Sequence, residues 1–72
     1  MKANIITIGD EILIGQVIDT NSAWLGQQLS DEGVLVDKII TIPDTEKDIL
    51  NTIESIDDDI SLVILTGGLG PT

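Results

Sequence analysis

Three short aliphatic runs, separated by two segments with helical periodicity, constrain the fold of this chain more than any other feature. The runs lie at residues 4–8, 34–42 and 60–65, and each is rich in Ile, Val or Leu. Aliphatic runs that alternate with helices are typical of parallel strands covered on both faces. Because βαβ crossovers are right-handed, the three strands should be parallel. The sequence therefore predicts an α/β fold with the order β-α-β-α-β.

Start and stop signals delimit the two predicted helices. The cluster at residues 19–22 contains only Asp, Thr, Asn and Ser, which all favour N-caps, so the first helix should begin there. Gly33 is placed to end it as a C′ residue. The second helix should begin at Thr45, because Thr45 and Asp48 resemble a capping box. Asp57-Asp58-Asp59 is interpreted as an exposed turn, since consecutive side chains diverge and do not suit a metal.

Two segments leave alternatives open. Residues 9–19 are bracketed by glycines in their first half and could hold a small hairpin or an extended arm. Trp24 is the only aromatic residue, so we interpret it as core or interface packing and not as a base-stacking platform.

Composition excludes several classes of function. Thirteen acids stand against three lysines, giving a net charge of −10, which disfavours binding to nucleic acid or to an anionic membrane. The chain contains no Cys and no His, so thiolate and imidazole chemistry are absent from it. The first residues lack the apolar core of a signal peptide. We therefore expect a cytoplasmic protein whose partner is a small molecule.

The strand exits predict a single cleft. In an open parallel sheet, ligands bind beyond the carboxyl ends of the strands. The first strand leads into Gly9-Asp10-Glu11, the second into Pro43-Asp44-Thr45, and the third into Thr66 and a glycine-rich loop at residues 67–70. Backbone N–H groups of such a loop can hold a phosphate, and carboxylates can hold Mg²⁺ or a similar hard ion. The spacing thus predicts an anion loop that faces two or three carboxylates.

Each carboxylate also has a simpler interpretation. Asp10 could only stabilise a Gly-Asp turn, Glu11 could face solvent, and Asp44 could cap the second helix. The loop itself is neither a Walker A motif nor a dinucleotide fingerprint, because no Gly-Lys-Ser/Thr follows it and it comes after the third strand. As a bare pattern it does not identify the ligand.

Two blocks together are more specific. Residues 8–22 contain Gly-Asp-Glu-Ile-Leu-Ile-Gly and Asp-Thr-Asn-Ser, and residues 65–72 read Leu-Thr-Gly-Gly-Leu-Gly-Pro-Thr. With Pro43-Asp44 between them, these blocks resemble the N-terminal domain of the competence/damage-inducible protein A (CinA) family. That family belongs to the molybdopterin-binding superfamily, with the MoaB and MogA proteins and a domain of gephyrin. The Gly-Leu-Gly-Pro-Thr version of the loop is more similar to CinA than to the molybdenum-cofactor enzymes.

The resemblance implies a three-layer α/β/α sandwich around a Rossmann-like parallel sheet. Residues 1–72 would then be the N-terminal β-α-β-α-β part of a single MoaB/MogA-like domain, ending after the glycine-rich loop. An Asp-rich segment that the family carries after Pro71-Thr72 lies beyond this chain. We therefore expect the 72 residues alone to be inactive.

The resemblance also implies roles for individual residues. Phosphate binding passes to the residues that match the family's loop, namely Thr66, Gly67, Gly68, Gly70 and Thr72. Asp44 matches a functional acid of the adenylyltransferases, and Asp10 and Glu11 line the same pocket. Asp44 and Asp10 are thus the implied catalytic residues, and Asp10, Glu11 and Asp44 the implied metal ligands.

Three functions follow as expectations. The first is binding of a phosphorylated nucleotide. In a full-length and homo-oligomeric parent, it would extend to hydrolysis of the ADP-ribose pyrophosphate with a divalent metal. Many CinA proteins add a C-terminal deamidase domain that acts on nicotinamide mononucleotide. The second is binding of molybdopterin, a pterin phosphate, or transfer of AMP to it. The third is a non-catalytic binding or assembly role.

Overall fold

The computed structural model describes residues 1–16 and 18–67. Its elements, in chain order, are β1 (Lys2–Ile8), α1 (Asp10–Leu13), α2 (Thr20–Asp31), β2 (Leu35–Ile42), α3 (Glu46–Glu54) and β3 (Leu62–Thr66). None of the helices in these two ranges is long and apolar enough to cross a membrane.

The three strands form one parallel sheet in the order β2-β1-β3. β1 is the central strand, and all of its residues from Ala3 to Ile8 are buried. Its aliphatic side chains are enclosed on both faces, which is why this strand reads as a continuous apolar run and not as an alternating one. The predicted α/β class and the parallel strands are confirmed.

The helices lie on opposite faces of the sheet. Ile6 and Ile8 of β1 form a buried cluster to which Ile49 of α3 contributes from one face. On the other face, Gly26 of α2 lies against the Cδ1 atoms of Ile5 and Ile39. Since successive strand residues point to opposite faces, the alternating side chains of β1 serve the two helices in turn. The three-layer arrangement follows from this alternation.

The predicted ends of α2 are confirmed. Asp19 is its N-cap, and its carboxylate accepts a hydrogen bond from the N–H of Ser22. At the other end Gly33 has a φ of +84°. The N–H of Val34 donates to the carbonyl of Leu29 across 2.9 Å, and that of Gly33 donates to the carbonyl of Ser30 across 3.0 Å. These two bonds are those of a Schellman motif, in which a glycine at C′ adopts the left-handed conformation.

The segment after β1 holds one turn of helix, and neither the hairpin nor the extended arm is found in its described part. The carbonyl of Gly9 accepts from the N–H of Leu13 across 3.1 Å, and Gly15, with a φ of +84°, follows the turn. This helix has no side-chain cap and buries no residue. Gly15 follows this turn as Gly33 follows α2, so the sequence carried a stop signal for it but no N-cap side chain to mark its start.

Two further interpretations are settled by exposure. Trp24 is 62% exposed, so its assignment to the core was wrong within the described structure, while the interface interpretation stays a prediction. Asp57, Asp58 and Asp59 are all exposed between α3 and β3, as the turn interpretation predicted.

Candidate functional site

The strand order creates a topological switch point between β1 and β3. From β1 the chain crosses to β2 on one side, and it returns to place β3 on the other side. Thr7 of β1 is the partner of Thr66 of β3, so both strands end at the same edge. Open α/β sheets bind ligands at this kind of crevice, beyond the carboxyl ends of the strands. Residues 9–11 and Thr66-Gly67 therefore lie where a ligand is expected.

Gly67 is held against the end of β1. Its φ is +76°, and a Cβ atom added to it would come within 2.8 Å of the carbonyl oxygen of Ile8. That separation is too short for any side chain, so only glycine allows this close approach. The first turn of the glycine-rich loop thus rests directly on the carboxyl end of the central strand. Gly68, Gly70 and Thr72 lie outside the described residues.

Asp10 and Asp44 come together at the same edge. The N–H of Gly9 donates to the carbonyl of Ile42 across 3.1 Å, which joins the ends of β1 and β2. One residue further on, Oδ1 of Asp10 accepts the backbone N–H of Asp44 across 3.3 Å. Both residues are exposed, so their carboxylates remain open to a ligand.

Glu11 occupies a different position from the other two acids. Its carboxylate folds back over Gly9, where a Cβ atom would lie 3.0 Å from Oε1. Among the residues that the structure describes, no group of three acidic side chains converges closely enough to hold a metal ion. Within this part of the chain, Asp10 and Asp44 are therefore linked through one side chain and one backbone N–H, and the three acids do not form a metal cluster.

Asp44 does not cap α3. The N-cap is Thr45, whose Oγ1 accepts the N–H of Asp48 across 3.3 Å, while its hydroxyl donates to the Asp48 carboxylate. The alternative that Asp44 serves only as the helix cap was therefore wrong. Thr45 performs that role from the next position, and the Asp44 side chain is left for the cleft.

A buried polar network at the end of β1 was not foreseen from the sequence. The Thr7 hydroxyl donates to Oδ2 of Asp19 across 2.8 Å, and the N–H of Ser22 donates to Oδ1 of the same carboxylate across 3.0 Å. The hydroxyls of Thr7 and Ser22 share a hydrogen bond, and both side chains are only 1% exposed. Asp19 and Ser22 stood out as cap formers, but nothing distinguished Thr7 from the other β-branched residues of its strand.

The network favours the ionised form of the Asp19 carboxyl. Burial acts to raise the pKa of its carboxyl, but hydrogen bonding to Ser22 and to the Thr7 hydroxyl outweighs burial and lowers it. Donors that favour the charged form depress a carboxyl pKa in this way. The first turn of α2 is thus joined to the end of β1 by a charged group.

A cavity of about 400 Å³ lies elsewhere, between α2 and β2. Its lining residues are Ala23, Gly26, Gln27, Ser30, Val36, Asp37, Lys38 and Ile39. It opens beside the middle of β2 and not at the strand ends, so it is separate from the switch-point cleft.

Comparison with known proteins gives a consistent result. Residues 4–72 match the model of a family described as "Probable molybdopterin binding domain". A CinA-like protein of Flavobacterium psychrophilum is 49% identical over 72 residues, which are all of this chain and 17% of that protein. A CinA-like protein of Salinibacter ruber is also 49% identical over 72 residues and 18% of its length. The chain thus spans less than a fifth of these two relatives.

A solved structure shares the fold. The crystal structure of the CinA protein of unknown function from Thermoplasma acidophilum superposes with a TM-score of 0.89 at 35% identity. The match covers 99% of this chain and 42% of that one.

Proposed function

This chain belongs to the molybdopterin-binding domain family and is CinA-like within it, and on that basis we propose that its switch-point cleft binds a phosphorylated nucleotide. In a full-length protein that carries this domain, we propose hydrolysis of an ADP-ribose-type pyrophosphate with a divalent metal. A cytoplasmic setting belongs to the same proposal, because free nucleotides are found there.

The observation that carries this proposal is the meeting of two unlike groups at one edge of the sheet. Asp10 and Asp44 are joined by a hydrogen bond of 3.3 Å, and Gly67 rests on the carbonyl end of β1. Asp10 follows that same strand directly. Backbone N–H groups near Gly67 suit phosphate oxygens, and the carboxylates suit a cation that neutralises them. A phosphoanhydride presents both requirements at once.

A Mg²⁺ ion would not need a third acid at this edge. This ion is usually held by one or two carboxylates together with substrate phosphates and waters. Asp10 and Asp44 are the residues of this chain that would hold it, and when bound it would offset the negative charge that builds on the leaving phosphate. The role of Asp10 Oδ1 as acceptor for the Asp44 N–H leaves Oδ2 for such an ion.

A second candidate is binding of a pterin phosphate, or transfer of AMP to it. The description of the matching family favours this function. It requires the same anion loop and the same charge neutralisation, so the cleft geometry supports both candidates equally. Leu69 and Pro71, which make the loop similar to CinA, favour the nucleotide.

One titration separates the candidates. The full-length protein is titrated with ADP-ribose and with a pterin phosphate, each with and without Mg²⁺, and binding is followed by calorimetry. We expect binding of ADP-ribose that tightens with Mg²⁺, followed by release of AMP. Preference for the pterin phosphate would establish the second candidate, and binding of neither ligand would indicate a non-catalytic binding or assembly role.

A further inference from the structure

We infer that Asp19 is a positioning residue for the loop that begins at Thr66-Gly67, and that it acts through Thr7 and Ser22. The inference rests on the proposed phosphate-binding role of that loop. It concerns a group outside the cleft described above, since neither Asp19 nor its partners belong to the predicted site.

The first step is the way in which the carboxylate is used. One oxygen of Asp19 accepts from the backbone of Ser22 and the other from the hydroxyl of Thr7. Both oxygens are therefore occupied by donors of the same chain, which suits a structural link better than direct contact with a ligand. The link connects the first turn of α2 to the penultimate residue of β1.

The second step is the position of Thr7 within the sheet. Thr7 is the partner of Thr41 on β2 and of Thr66 on β3, so three threonines form one row across the strands. Paired residues of neighbouring strands project to the same face, so this row lies on the face that α2 covers. It is the last row in which β1 is paired with both β2 and β3. The hydroxyl that Asp19 holds is thus the central member of the row that leads into the loop.

The third step is the contact on the far side of Thr7. Ile8 follows Thr7 directly, and its carbonyl oxygen is the atom against which Gly67 packs. A shift of Thr7 would displace Ile8 and, with it, the surface that supports the loop. The end of β1 is therefore linked to α2 through Thr7 and contacts the glycine turn through Ile8.

The network is more than simple packing requires. A partly buried carboxylate with two buried hydroxyls costs desolvation energy that an apolar set of the same shape would avoid. Such polar groups fix one geometry, because each donor and acceptor must find its own partner. A network with these properties, placed at the base of a ligand loop, is suited to hold the loop in register.

The test compares Thr7→Val, Thr7→Ser and Asp19→Asn with Asp31→Asn in the full-length protein. Valine has the shape of threonine without the hydroxyl, and serine keeps the hydroxyl. Asp31 is a matched control, because it lies on the same helix and accepts from Gln27 in an exposed position. Two readouts are used: amide hydrogen exchange of Thr66 and Gly67, and the kinetics of ADP-ribose hydrolysis.

In Thr7→Val and Asp19→Asn, we expect exchange at Thr66 and Gly67 to be about tenfold faster, while α3 exchanges as in the unmodified protein. KM should rise about tenfold with kcat changed less than twofold, because the loop is misplaced for binding and the carboxylates are untouched. Asp31→Asn should match the unmodified protein in both readouts. Thr7→Ser keeps the hydroxyl but deletes a buried methyl group, so it should stay much closer to the unmodified protein than Thr7→Val does.

Two results would overturn the inference. The first is unchanged exchange at Thr66 and Gly67 in both network variants. The second is faster exchange throughout the domain, which would indicate that the network stabilises the whole fold and not the loop in particular. If Thr7→Val does not fold, Asp19→Asn decides between these results. If the unmodified protein does not turn over ADP-ribose, the proposed function fails, and the exchange measurement still decides the role of Asp19.

Discussion

Asp44 donates its backbone N–H to Oδ1 of Asp10 across 3.3 Å. The two residues follow neighbouring strands, 34 positions apart in the chain. The bond uses the main chain of one residue and the side chain of the other, so the Asp44 carboxylate takes no part in it. Substitution of either carboxylate therefore tests a different aspect of the cleft.

Asp44→Asn should remove most of the hydrolytic activity of the full-length protein. The backbone N–H that Asp10 accepts is unchanged by this substitution, so the loss reports the charge of the Asp44 side chain. We expect kcat to fall by about 10²-fold or more, the scale on which a group that stabilises transition-state charge contributes. Glu46→Gln, an exposed acid in the first turn of α3, is the control. An Asn variant that keeps the original rate would show that Asp44 has no such role.

Asp10→Asn should weaken the use of metal without unfolding the protein. The amide oxygen of Asn can still accept the N–H of Asp44, whereas Asp10→Ala removes that acceptor. We expect both variants to need about tenfold more Mg²⁺ for half-maximal activity, because each loses a charged oxygen ligand. Only the Ala variant should also be less stable in urea. Equal Mg²⁺ dependence in the unmodified protein and both variants would contradict a metal role for Asp10.

Gly67→Ala should destabilise the protein more than Gly33→Ala. Both glycines have positive φ, +76° and +84°, so alanine is strained by about 1–2 kcal/mol at each. At Gly33 an added Cβ meets nothing within 4 Å, but at Gly67 it meets the Ile8 carbonyl oxygen at 2.8 Å. We expect a further loss of about 1–3 kcal/mol at Gly67 from this overlap, measured by urea unfolding. Equal losses at the two positions would mean that the loop can move away from β1.

Thr45→Ala should lower the free energy of unfolding by about 1 kcal/mol, the usual cost of losing an N-cap side chain. The Thr45 hydroxyl oxygen accepts the N–H of Asp48. This N–H lies in the first turn of the helix, where backbone N–H groups have no acceptor within the helix. Thr45→Ser keeps the acceptor and should be close to the unmodified protein in thermal unfolding. A neutral Ala substitution would show that water replaces the cap without cost.

Asp19→Asn should change the acid side of the stability profile. The folded-state pKa of Asp19 lies below its ordinary value of 3.8. A carboxyl whose pKa is depressed on folding stabilises the protein above its unfolded pKa, and this stabilisation is lost as the pH falls through the folded pKa. As the pH falls below about 4, the unfolding free energy of the unmodified protein should therefore fall more steeply than that of the Asn variant. Parallel profiles over that range would contradict the hydrogen-bonded, ionised Asp19.

Most elements of the fold were predictable because their signals are local. The β-branched run of β1 and the cap residues Asp19, Gly33 and Thr45 each act within a few positions of the chain. The strand order was not predicted, since β1 finds its partners through contacts between distant segments. The turn of helix at α1 has no N-cap side chain and is only four residues long, so Gly15 at its end did not suffice to mark it as a helix.

The sequence predicted at which edge of the sheet the candidate site lies, but not the contacts between its residues. Topology alone placed Asp10, Asp44 and Gly67 at the same ends of the strands. The capping-box pattern favoured Thr45 as the cap of α3, but Asp44 stayed open as an alternative because both residue types cap helices well. The link between Thr7 and Asp19 joins a strand residue to a helix cap, and neither residue type indicates the other in advance.

The central position of β1 also has a consequence for how the protein is made. The segment from β1 to Asp44 carries both Asp10 and Asp44, and it is synthesised before Gly67. β3 can add only to the edge of β1 that β2 leaves open. We therefore expect co-translational folding to assemble the carboxylate half of the cleft first, with the nascent glycine turn added to a carbonyl surface that is already in place. Arrested nascent chains in which a C-terminal linker places residues 1–60 outside the ribosomal exit tunnel would resist protease over β1–β2 if this order holds, and would be digested there if it does not.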